Sequence, residues 1–266
     1  MSVIGVIRAF RSEWLKLLRP SIILGGAGTM CDFAILAVVL RLSRLGGTHI
    51  GPGTDLTAAM VAASNGFAPL IVYTAPFLGL VALAVCAVAV GTEYSNGTLR
   101  NLLVRQPARL RLLTGKLLAL ASFVTLAVVV SYGVGLVAAL LLVPGHGIST
   151  AAWFTAAGVQ SLLSTLGNLV LATLAWGVIG AALAIVLRSA AAAISVGLGY
   201  LLVGETLLTN VWSGGNQWLP RVLLVALGLG GTDEVAYGRA LVLIGLYVVV
   251  AIGVAALLFR QRDVTV

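Results

Sequence analysis

The sequence predicts an all-α integral membrane protein with six transmembrane helices. Three observations carry that expectation. The 266 residues are 60% hydrophobic and only 9% charged, with a mean hydropathy of +1.11, whereas a soluble domain carries about 25% charged residues. Long apolar runs recur along the chain, several exceeding the roughly 20 residues that a helix needs to cross a hydrocarbon core. The basic residues gather between those runs instead of on one solvated domain, so the net charge of +8 reads as membrane orientation and not as nucleic-acid binding.

The N-terminus is amphipathic. Val3, Ile7, Phe10, Trp14 and Leu17 fall on one face, and Arg8, Ser12, Lys16 and Arg19 on the other. Residues 1–20 therefore read as an interfacial helix against membrane lipid, with a cytoplasmic extension of the first span as the plainer reading. Pro20 ends it. The first apolar run starts too late, and lacks the cleavage site, for a removable signal peptide.

Spans are expected at about 22–40, 67–90, 117–143, 162–187, 191–208 and 239–259. Asp32 falls about 18 Å along the first, near the midplane. It reads either as a lining residue of a substrate path or dimer interface, or as a structural carboxyl bonded to a neighbouring helix. Gly46–Gly66 reads as an outer loop. Pro69 and Pro76 should kink the outer half of the second span. Trp153 and Phe154 look like aromatic anchors at the outer interface. Glu205, towards the outer end of the fifth span, is expected to reach water, with a gate or substrate contact as the alternative. Residues 209–237 contain an apolar stretch too short to span, as an outer re-entrant or interfacial helix would.

Twelve Lys/Arg fall on inner segments and four, Arg41, Arg44, Arg221 and Arg239, on outer ones. This distribution places both termini in the cytoplasm. The Arg-rich, Ala/Gly/Val/Leu-rich composition points to a GC-rich bacterial genome, hence to a bacterial inner or plasma membrane. Cys31 and Cys86 lie inside apolar runs and fit no disulfide framework or metal site.

The segment 91–116 stands out. Gly97 permits a turn and Thr98 can cap a short helix. Leu99, Leu102 and Leu103 form an apolar patch at helical spacing, flanked by Arg100 and Arg105, and Pro107 is placed to begin the next helix. A capped helix with an apolar patch and cationic edges is a docking surface. A positive-inside loop without a partner would explain the charges but not the leucines.

The pattern Glu93-x3-Gly97-Thr98-Leu99-x7-Pro107-x-Arg109-x6-Lys116 resembles the first inner loop of ABC-2-type exporter permeases. Arg11-Ser-Glu13-Trp14-Leu-Lys16 resembles that family's N-terminal signature, and Phe259–Asp263 its C-terminal end. The resemblance covers the whole chain in layout. It implies that the 98–105 helix is a coupling helix entering a groove on a separate ABC ATPase. It also implies that ATP and Mg belong to that partner and that two permease copies, or this chain and a paralogue, join two ATPase subunits. The sequence itself has no P-loop: Gly115-Lys116 is followed by Leu117 and lacks the earlier glycine. The chain is thus expected to be a non-enzymatic exporter permease for a hydrophobic or amphiphilic substrate such as a drug, lipid, peptide or lipid-linked molecule. The alternative is an ATPase-independent channel or secondary transporter using Asp32 and Glu205, against which stand the few intramembrane charges and the absence of an internal repeat. A membrane enzyme lacks support: no metal cluster, nucleophile elbow or paired catalytic carboxylates are present.

Overall fold

The computed structural model describes residues 3–46, 55–95, 109–212 and 214–261. Every regular element among them is helical. Six helices are long and apolar enough to cross a membrane: Pro20–Ser43, Ala68–Tyr94, Leu113–His146, Ala156–Leu187, Ala190–Val211 and Tyr237–Leu258. They are the first to sixth spans below. All six lie where the apolar runs place them, and most extend several residues further.

The N-terminal helix, Val3–Leu17, is docked on the bundle. Its inward face is Ala9, Glu13 and Leu17, all buried, at i, i+4, i+8 spacing. Phe10 and Trp14 stack beside that face with ring centroids 5.8 Å apart. Ile7, Leu15 and Leu18 stay exposed with Arg8, Arg11 and Arg19. The expected apolar stripe is therefore rotated: a glutamate occupies the centre of the buried face, because its charge is matched there. Pro20 disfavours helix at Arg19, whose backbone is extended (φ −64°, ψ 138°), and then opens the first span at a position where its missing N–H costs no bond.

The first span is π-helical over Ile23–Gly28 and α-helical over Thr29–Ser43. Its buried face is Met30, Ala34, Val38, Arg41 and Leu42. Arg41 lies nearly buried near the span's end. Its Nε donates to the Pro69 carbonyl at 3.1 Å, and its guanidinium sits 4.5 Å from the Tyr73 ring centroid.

The second span breaks where its prolines predict. Pro76 offers no N–H to the Val72 carbonyl, and Ala75 supplies one instead in a 3-10 turn over Val72–Thr74. Before it, Thr57 caps a short helix, Ala58–Ala62, where an outer loop was expected. Trp153 is fully buried and not an interfacial anchor. Its Nε1 donates to the Val61 carbonyl at 2.9 Å, and its ring packs on Phe67. That bond ties the short helix to the bundle. Phe154 is exposed.

The second and fourth spans form the core pair. Glycines let their backbones meet: a Cβ on Gly180 would lie 2.4 Å from the Leu83 carbonyl oxygen, and one on Gly79 would strike Trp176. Thr155 caps the fourth span, accepting from Gly158 N, which explains its early start. Arg188 takes the left-handed conformation (φ 55°), and Ser189 caps the fifth span, so the turn between them is two residues long. A ten-residue helix, Pro220–Leu229, follows the fifth span and closes on Gly230 (φ 79°).

Candidate functional site

A buried ionic knot joins three helices at the end of the bundle that carries the N-terminal helix. Lys116, near the start of the third span, is its centre. Its Nζ donates to Glu13 Oε2 at 2.8 Å, to Glu93 Oε1 at 2.7 Å and to the Ala89 carbonyl at 2.9 Å. Those three bonds use all three ammonium protons. Lys16 Nζ closes the knot from the rim, donating to Glu13 Oε1 at 2.6 Å and to Glu93 Oε1 at 3.1 Å.

Two carboxylates and two ammonium groups make the set neutral. The side chains of Lys116 and Glu13 are each 5% exposed and that of Glu93 is 10%, against 43% for Lys16. Burial opposes charge on Glu13, but the ammonium groups of Lys116 and then Lys16 outweigh it and hold the carboxyl below its ordinary value. Burial likewise opposes charge on Lys16, and Glu13 followed by Glu93 holds its ammonium above the ordinary value. Low local dielectric strengthens the contacts among Lys116, Glu13 and Glu93 and makes loss of one of these buried partners costly.

The knot brackets the segment 96–108. Glu93 stands at the end of the helix entering that segment, and Lys116 lies one turn inside the span that leaves it. Gly97, Thr98, Leu99, Arg100, Leu102, Leu103, Arg105 and Pro107 lie outside the described residues. Arg109 opens the helix Arg109–Leu142, two residues after the proline expected to begin it.

The other singled-out residues fall elsewhere. Arg11 is exposed, and Trp14 is half-buried against Phe10. Asp32 is exposed on the first span. Glu205 does not reach water: it is fully buried. Its Oε1 accepts from the Arg221 backbone N–H at 2.6 Å, so the carboxyl meets the first turn of the Pro220–Leu229 helix, where unpaired N–H groups attract an acceptor. Its Oε2 has no hydrogen-bond partner among the described residues. Among those residues no group of three or more His, Cys, Asp or Glu could hold a metal ion.

Lys116 belongs to the knot although the sequence marks it only as the last position of the loop pattern. The local signal was Glu13-x-x-Lys16, an i, i+3 pair; nothing local joins either residue to position 93 or 116.

Six apolar helices, with no strand among the described residues, define an all-α multi-pass membrane protein. The chain belongs to the DUF2705 family, described as a protein of unknown function, whose profile matches residues 54–265. That match contains Glu93, Lys116 and Glu205. Comparison with curated proteins found no match.

Proposed function

We propose that the chain is the membrane-spanning permease subunit of an ATP-driven exporter, working with a separate ABC ATPase at the cytoplasmic face of a bacterial inner or plasma membrane. One observation carries this reading. The knot of Glu13, Lys16, Glu93 and Lys116 binds together both helices that flank segment 96–108, and adds the N-terminal helix to them. A docking segment is useful only if a force on it reaches the spans. Here its two ends are cross-braced, so a push on it moves the second span, the third span and the N-terminal helix as one unit.

The leucine-rich, arginine-edged sequence of 98–105 supplies the docking face. The ATPase binds ATP and Mg, and its closure shifts the spans between inward- and outward-open forms. Two permease chains, identical or paralogous, complete the path. The cargo is hydrophobic or amphiphilic.

The test is copurification from the native membrane. Wild-type protein should bring down a P-loop ATPase, and Leu102→Asp/Leu103→Asp should lose it. Absence of an ATPase from both preparations would sink the exporter reading and leave a channel or secondary transporter.

A further inference from the structure

We propose that the outward stripe of the first span binds the cationic group of an amphiphilic cargo, with Asp32 as its counter-ion. This rests on the exporter reading only for the direction of movement.

Asp32 is the single charge on a helix face that continues through Ile35, Leu36, Val39 and Leu40, every one of them exposed. The opposite face carries Met30, Ala34 and Val38 into the core. Asp32 is the thirteenth residue of a 24-residue span, so it lies near the midplane. A carboxylate facing lipid at that depth costs about 2.5–3.5 kcal/mol on insertion scales. This stripe therefore faces a polar occupant. No hydrogen bond or ion pair satisfies Asp32 among the described residues.

Among the described residues, no Lys or Arg of a second copy would lie at the depth of Asp32. Its Lys and Arg occur only within the first 19 residues, at 41 and 44, between 100 and 116, and at 188, 221, 239, 260 and 262. Those that fall inside spans, Arg41, Lys116 and Arg239, sit within a few residues of a span end. None comes to the depth of Asp32. A cationic cargo would bring to that depth the positive charge that the described residues do not.

The surroundings suit such a molecule. Phe33, the next residue, stacks on the exposed Phe77 with centroids 5.1 Å apart. Aromatic faces attract cations, and the aliphatic stripe accepts an apolar body.

The experiment uses the full chain in lipid nanodiscs, without ATP or ATPase, so that failure of binding and failure of ATP-driven export are separate results. Tetraphenylphosphonium should bind saturably above empty nanodiscs. Tetraphenylborate, of matching shape and opposite charge, should not. Asp32→Asn should weaken phosphonium binding about tenfold or more, as loss of a desolvated charge partner does, while Asp32→Glu should stay within a few-fold of wild type. Equal binding of the two ions, or unchanged affinity in Asp32→Asn, overturns the proposal. If Asp32→Asn does not fold, the comparison of the two ions on wild-type protein decides. A native mass spectrum in which Asp32→Asn abolishes a dimer, with no phosphonium bound to wild type, also overturns it and assigns the stripe to a second copy.

Discussion

Lys116 is the residue on which the knot depends. Replacing it with Met takes the buried ammonium away from Glu13 and Glu93. Removal of one partner from a buried set costs about 3–5 kcal/mol, so Lys116→Met should lower the unfolding midpoint sharply. Lys16→Met should lower it far less, because solvent already screens that rim position. The same knot sets a pH dependence. The folded-state pKa of Glu13 is depressed, so its stabilisation is present above the unfolded value and lost as pH falls through the lower folded one. For Lys16 the folded pKa is raised; its contribution is present below the unfolded lysine value and lost as pH rises through the folded one. Stability should be flat through neutral pH and fall below about pH 4, the ordinary glutamate range. Unfolding midpoints against pH check this, and Glu13→Gln should flatten the acid limb.

Between elements, glycine contacts and caps decide the fit. Gly180→Ala would force a Cβ to 2.4 Å from the Leu83 carbonyl oxygen, whereas a Cβ at Gly167, on the same helix, meets nothing within 4 Å. The first should cost about 1–3 kcal/mol by overpacking, and the second should be neutral or slightly stabilising; thermal unfolding separates them. Glu205→Ala should free the start of the Pro220–Leu229 helix, seen as faster hydrogen exchange at the Arg221 amide, while Glu205→Gln keeps an acceptor there. These two glycines and this glutamate also mark the limit of what the sequence discloses. The spans were legible because about 20 apolar residues have few alternatives to a membrane helix. So were the prolines of the second span, whose effect is local. Glu205 was misread because its partner sits 16 residues further on, where the chain turns back, and Trp153 because its acceptor lies 92 residues away. The knot was half legible: Glu13 and Lys16 form a local pair, but Lys116 reaches Glu13 across 103 positions. Only packing of the N-terminal helix on the third span reveals that.

At the scale of the molecule, the knot sits at one end, and towards the other the Pro220–Leu229 helix turns back to meet Glu205 and packs against Val72 of the second span. Between them runs a first span whose outward stripe carries Asp32. In the proposed exporter the knot is the input and the Asp32 stripe the cargo contact. In that exporter, ATP bound by the partner moves the spans through the knot. The most direct measurement places spin labels at Leu141 and Val211, both exposed and both far from the knot, in a chain with Cys31 and Cys86 replaced by Ala, and reads their separation in the complex with the copurified ATPase. ATP should shift this distance in the otherwise wild-type chain, and Lys116→Met should still bind the ATPase but lose the shift. A distance unchanged by ATP in the otherwise wild-type complex, or a full shift in Lys116→Met, would contradict it.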